Sequence, residues 1–302
     1  MLLVGCSSSN QATFSSPEKA ADKLIVAMRN NDTKTLGSLF GPDSDELIYS
    51  GDSVADRQRF QKFVAAYDQR HRLEMDKDAA VTLIVGSKDW PCPIPIVQGE
   101  DDKWYFDTDA GREEILNRRI GENELNVIEV CRAIVDAQKE YALMDPDKDG
   151  VPEYARQFGS NPGKKNGLFW PAASGEVQSP LGQFVADAVA EGYGETKSEA
   201  GKLRPYHGYC YRMLTAQGPG AQGGAADYIV NGRMIGGFAV VAFPAEYASS
   251  GVMSFIVNQK GTVYQMDLGD NTRDLAMKMQ AFDPAGGWQP VQSSTSNPQG
   301  HN

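Results

Sequence analysis

A helical stripe in the middle of the chain limits the fold more than any other feature. Val127, Val130, Ile134, Ala137, Tyr141 and Met144 alternate spacings of three and four. Ile128, Cys131 and Val135 widen the same face, while Glu129, Arg132, Asp136 and Lys139 fill the opposite one. Such a pattern describes an amphipathic helix of about five turns that must be laid on an apolar layer. It stops at Asp145-Pro146, because proline cannot continue a helix. A loop follows, then a helix from Ser179, as N-cap, to Glu191. The strands expected next are 206–214, 234–243, 252–257 and 262–268, with Asn258-Gln259-Lys260-Gly261 turning the last two into a hairpin. One long helix against an antiparallel meander is an α+β arrangement.

The chain before the stripe repeats that class on a smaller scale. Ser16 and Pro17 open a first helix carrying Ala20, Ala21, Leu24, Ala27 and Met28. Leu36, Leu39 and Phe40 mark a second, and a third starts at Ser53 with Phe60, Phe63, Val64 and Tyr67 on one stripe. Strands are expected at 80–85, 94–97 and 104–107, with a bridging helix at 111–119. The expected organisation is two α+β domains, 15–119 and 120–288, between an N-terminal segment, 1–14, and a disordered tail, 289–302.

The N-terminal segment has its own signature. Leu3-Val4-Gly5-Cys6, followed by Ser7-Ser8-Ser9-Asn10-Gln11, reads as a bacterial lipobox. It predicts that Cys6 is diacylated, since two acyl chains hold a protein at a membrane where one holds it marginally. The residues before Cys6 look like the end of a signal whose front is missing, which makes 1–14 a signal remnant and linker. The protein is then expected at the cell envelope, facing the periplasm. Ser7 after the cysteine leans the expectation towards the outer membrane. The net charge of −11 argues against nucleic acid and against a polybasic grip on lipid, so Cys6 would be the sole membrane contact.

Candidate chemistry is sparse. Asp145, Asp147 and Asp149 alternate in a DxDxDG loop and converge on one ion in calcium sites, with Glu153 available to complete the shell. The twelfth position of that loop is Arg156 instead of a bidentate glutamate, and the run reads equally as an acidic turn. Calcium is the one cofactor suggested. Cys92, Cys131 and Cys210 have no zinc spacing. Cys131 and Cys210 are the best disulfide candidates, and three small buried thiols are the other reading. His207 and Cys210 are three apart on an expected strand and so point to opposite faces. His71 falls at the polar end of a helix. Gly51-Asp52-Ser53 resembles a hydrolase nucleophile block but lacks its partners, and Ser53 reads as a helix cap. Neither GxGxxG nor GxxxxGK[ST] occurs, so no nucleotide is indicated. The glycine-rich run 218–224 reads as a flexible loop. Tyr193, Tyr206, Tyr209, Tyr211, Trp170 and Phe169 suit core packing better than a ligand platform.

Longer phrases carry resemblances. "WPCPIPIV", "WYFDTDAGREEILNRRIGENEL", "DKDGVPEYA", "SPLGQFVADAVAEGY" and "NGRMIGGFAVVAFPAEYASSGVMSFIVN" resemble, as a set, the bacterial envelope family called domain of unknown function 2950, from about Phe14 to Trp288. Cys92 departs from an aromatic residue usual in that family. The family has no assigned activity, so the resemblance implies an envelope protein and no substrate. The opening helices are similar to cone-shaped domains of the nuclear-transport-factor-2 type. The second half is similar to the heads of type II secretion pseudopilins, although its helix follows a whole domain instead of a long apolar segment. The expectation is a non-enzymatic binding or assembly module with an envelope protein partner. The alternative is an envelope hydrolase that uses unrecognised carboxylates.

Overall fold

The structure, a computed structural model, describes residues 11–292 except 78, 147, 174 and 194–202. It mixes helices with several antiparallel sheets. The chain divides into two compact units. Unit 1 takes residues up to Glu122 with the short segments Tyr206–Gly208 and Ala248–Ser250, and unit 2 takes the rest.

Unit 1 begins with α1 (Pro17–Arg29) and α2 (Thr33–Phe40), capped by the side chains of Ser16 and Asp32. A short α3 (Asp45–Ile48), absent from the sequence expectation, precedes α4 (Ser53–Gln69). The cap of α4 is Asp52, not Ser53: its carboxylate accepts from the Val54 and Ala55 amides, each at 3.1 Å. A carboxylate satisfies two of the amides that a helix start leaves open. Five strands follow: β1 (His71–Met75), β2 (Val81–Val85), β3 (Trp90–Pro91), β4 (Ile96–Gln98) and β5 (Trp104–Phe106). They form one antiparallel sheet in the order β1-β2-β4-β5, with β3 also paired to β2. His71 therefore opens a strand, because α4 has already ended when Arg70 turns extended. Leu24, Leu36, Leu39, Leu83, Ile96 and Phe106 are the centre of the core between helices and sheet.

The expected bridging helix and the amphipathic helix are one element, α5 (Thr108–Met144). Gly121 is the one strong helix breaker at the expected gap, and a single glycine costs only about 1 kcal/mol inside a helix. The α5 residues from Asn123 onwards belong to unit 2. There the predicted stripe holds: Val127, Cys131, Ile134, Val135 and Tyr141 are all buried, and Leu143 on the far side is exposed.

Unit 2 continues with α6 (Gly182–Ala190), β6 (Tyr209–Leu214), β7 (Ala216–Gln217), β8 (Ala226–Asp227), β9 (Ile229–Val230), β10 (Arg233–Met234), β11 (Ala239–Pro244), β12 (Met253–Asn258), β13 (Val263–Asp267), α7 (Thr272–Lys278), β14 (Ala281–Phe282) and β15 (Gln289–Pro290). The main sheet runs β15-β13-β12-β11-β6 and is antiparallel throughout. Gln138 of α5 lies 3.7 Å from the Met213 sulfur of β6, and on β6 the neighbouring Arg212 donates to the Ala276 carbonyl of α7. With α5 and α7 on opposite sides, every residue of β11 is buried, which explains its unbroken apolar run.

Two expectations for this half need correction. The expected strand 234–243 is two strands, because Gly237 adopts φ +139°, a conformation only glycine takes easily. The run 218–224 is not loose: the Gly218 amide donates to the Phe282 carbonyl at 2.9 Å and the Gly220 amide to Asp283 at 3.4 Å. Among the described residues, no helix is long and apolar enough to cross a membrane.

Candidate functional site

Unit 1 contains a pocket of about 410 Å³. It arises because α4 and the start of α5 lean on the sheet without filling the space between them. Phe60 and Phe63 on α4, Val85 on β2, Trp90 on β3 and Ile115 on α5 are among the apolar residues of its wall. Gly111 makes this arrangement possible. A β-carbon there would sit 2.5 Å from the Pro93 carbonyl oxygen, so only glycine lets α5 approach the Pro93-Ile94 turn. Phe63 and Trp90 meet edge to face at 5.8 Å, and the Arg118 guanidinium covers the Trp90 ring at 4.8 Å. The volume lies within the range of small-molecule sites, about 300–1,000 Å³, which are mostly apolar with a few placed polar groups.

The polar groups here are Arg59, Lys62, Arg118, Arg119 and Glu122, four cations and one anion in a chain of net charge −11. Arg119 is the deepest, only 4% exposed. It donates to the Glu46 carbonyl at 2.7 Å, the Leu47 carbonyl at 2.8 Å and the Ser249 hydroxyl at 3.1 Å. Burial, reinforced by the neighbouring Arg59, lowers its pKa to about 10, so it remains charged at neutral pH. Arg59 pairs with Asp56 at 3.0 Å. Asp56 also accepts from the Ser50 amide and hydroxyl at 3.0 and 2.7 Å, a buried polar network beside the pocket. Cys92 lines the wall, and burial pushes its thiol up to about 11. A thiol so raised is a poor nucleophile near neutral pH.

The residues singled out from sequence lie elsewhere. Cys6 and Asp147 fall outside the described residues. Asp149 accepts from both terminal nitrogens of Arg233, and Glu153 accepts from the Arg233 Nε at 3.0 Å. Asp145 turns inward on its own loop, accepting from the Gly150 amide at 2.9 Å. Among the described residues, no three His, Cys, Asp or Glu side chains gather as a metal site would require. The loop instead borders a polar cavity of about 560 Å³ with Arg233, Tyr154, Gln157 and Asn166. Cys131 and Cys210 are both buried and are not joined to each other by a disulfide, with the Cys131 thiol raised by burial to about 12. His207 is not on a strand. It occupies a turn with φ +50° before β6, its ring edge-on to Tyr206 at 4.1 Å between ring centres. His71 stacks on Tyr67 at 3.7 Å. Tyr209 and Trp170 are buried, with the Tyr209 hydroxyl donating to the Met253 carbonyl at 2.8 Å.

None of the pocket arginines stood out as a site residue in the sequence. Phe60 and Phe63 were legible as an apolar stripe, but the same stripe would serve a closed core. The available signal was Arg118-Arg119 on a helix face otherwise carrying Ile115 and Leu116.

The chain matches the model of the family described as "Protein of unknown function (DUF2950)" over residues 11–291, and it belongs to that family. Comparison with curated proteins and with solved structures returned no match.

Proposed function

We propose that this protein is a non-enzymatic binding module of the bacterial cell envelope, and that the pocket of unit 1 takes the apolar body of a small molecule. The pocket carries the reading: about 410 Å³ walled by Phe60, Phe63, Trp90, Val85 and Ile115. Such walls hold a ligand by removing apolar surface from water, at about 25 cal/mol per Å². The raised thiol of Cys92 suits a wall better than a nucleophile. The envelope part rests on Leu3-Val4-Gly5-Cys6, which would tether the folded body by lipid alone and place it beside envelope proteins as partners.

The binding part is tested with N-phenyl-1-naphthylamine, a neutral dye that fluoresces when it leaves water. The expected result is saturable binding at one site, weakened in Ile115→Trp, whose larger side chain intrudes into the pocket, with folding checked by melting. Equal dye binding by the two proteins would contradict it. The anchor is tested by Cys6→Ser in cells of the source organism with the upstream codons in place. Loss of detergent partitioning is expected, and unchanged partitioning would end the lipoprotein reading.

A further inference from the structure

We infer that the ligand of this pocket carries an anionic head, a carboxylate or phosphate on an acyl or alkyl body, and that Arg119 is the group that selects it. The inference rests on the reading of the pocket as a binding site and adds the class of ligand.

The observation behind it is a mismatch in charge pairing. Each of the other nearby cations has a carboxylate of its own: Arg59 has Asp56 at 3.0 Å, Lys62 has Glu122 at 3.5 Å, Arg112 has Glu46 at 2.5 Å and Arg118 has Glu114 at 2.6 Å. Arg119 is the most buried of them, and among the described residues it has none. Its bonds go to two carbonyls and one hydroxyl, and its Nε is buried without an acceptor. The carboxylates that favour its charge, Asp56 and Glu46, are already engaged, by Ser50 and Arg59 and by Arg112. Buried charges in folded proteins are paired, because an isolated one loses its hydration without compensation.

Arg119 lines the pocket, so a ligand held there lies beside a buried charge that has no carboxylate of its own. Arg118, over Trp90, adds a second positive charge to the same wall. A neutral apolar guest would leave Arg119 as it is, and a cationic one would add a third positive charge beside Arg59 and Arg119. An anionic amphiphile satisfies both halves of the pocket at once.

The experiment compares guests of one length on the full chain at pH 7.5. Decanoate, decyl phosphate, 1-decanol and decylamine each compete with N-phenyl-1-naphthylamine. The expected order is anion, then alcohol, then amine, with the better anion at least tenfold tighter than the alcohol. The two anions separate a carboxylate head from a phosphate head. In Arg119→Gln the anion should fall to within twofold of the alcohol, whose own affinity stays unchanged, while Arg119→Lys keeps part of the preference. The ranking on the wild-type chain decides the matter even where Arg119→Gln fails to fold. Alcohol and anion binding within twofold of each other on the wild type would overturn the anionic head and leave the pocket reading standing. No displacement by any guest would overturn both.

Discussion

Two arginines, one in each unit, show opposite ways of placing a charge. Arg233 in unit 2 is partly open to solvent and holds two carboxylates, Asp149 and Glu153. Arg119 in unit 1 is buried and holds no carboxylate among the described residues. The first is a closed local arrangement that ties the loop after α5 to β10. The second is an arrangement with its anion missing, set in the wall of a pocket. Charge alone therefore does not mark a binding site. Both border a cavity, and burial without a counter-charge is what separates Arg119 from Arg233.

The same contrast extends to the apolar side chains and gives the largest predicted effect. Phe255 of β12 is wholly buried in unit 2, whereas Phe63 is half-buried and faces the pocket. Phe255→Ala should cost about 3–5 kcal/mol, because it removes buried surface and leaves a cavity. Phe63→Ala should cost about 1 kcal/mol, since its ring already borders empty space. Urea unfolding of the two variants checks this, and equal losses would mean that the pocket wall is packed like a closed core.

The thiols give a second comparison. At pH 8 a thiol with a pKa of about 11 is about 0.1% thiolate, so neither Cys92 nor Cys131 should react quickly with a disulfide reagent in the native protein. Cys92 should be the faster of the two, being less strongly raised and set in the pocket wall. Bound decanoate should slow Cys92 and leave Cys131 unchanged, as followed by peptide mass mapping. Protection of Cys131 instead would move the ligand to unit 2.

The smallest effect belongs to Arg233→Gln. Its hydrogen bonds lower the pKa of Asp149 from the ordinary 3.8. That stabilisation is complete above the unfolded value and is lost as the pH falls through the depressed folded value. The melting temperatures of wild type and Arg233→Gln should thus differ slightly at pH 7 and converge as the pH falls through that depressed value. Millimolar calcium against chelator is the accompanying control. A rise in the wild-type melting temperature would make the loop of Asp145, Asp147 and Asp149 a cation site after all.

The α+β class was legible in the sequence, and so was the buried face of α5, because a stripe from Val127 to Tyr141 over several turns overrides local detail. The continuity of α5 was not. Arg118 to Asn123 looks like a polar break, yet it contains no proline and one tolerated glycine. Asp52 and Ser53 are both good caps, and only the backbone shows which side chain meets the amides. The pocket was hidden for a deeper reason. Phe60 and Phe63 have the same spacing whether a neighbour fills the space beside them or leaves it empty. Arg119 reads as one more helix-surface cation until its carbonyl partners, Glu46 and Leu47, more than seventy residues away, are known.

Methionine methyl resonances test the binding claim most directly, because both units carry reporters. Met28 lines the pocket of unit 1, while Met253 and Met266 lie on β12 and β13 of unit 2. On titration of the methyl-labelled full chain with decanoate, the Met28 methyl should shift and saturate at one equivalent, with Met253 and Met266 unmoved. Shifts confined to the unit 2 methyls, or small unsaturated shifts at every methyl, would contradict a ligand site in unit 1.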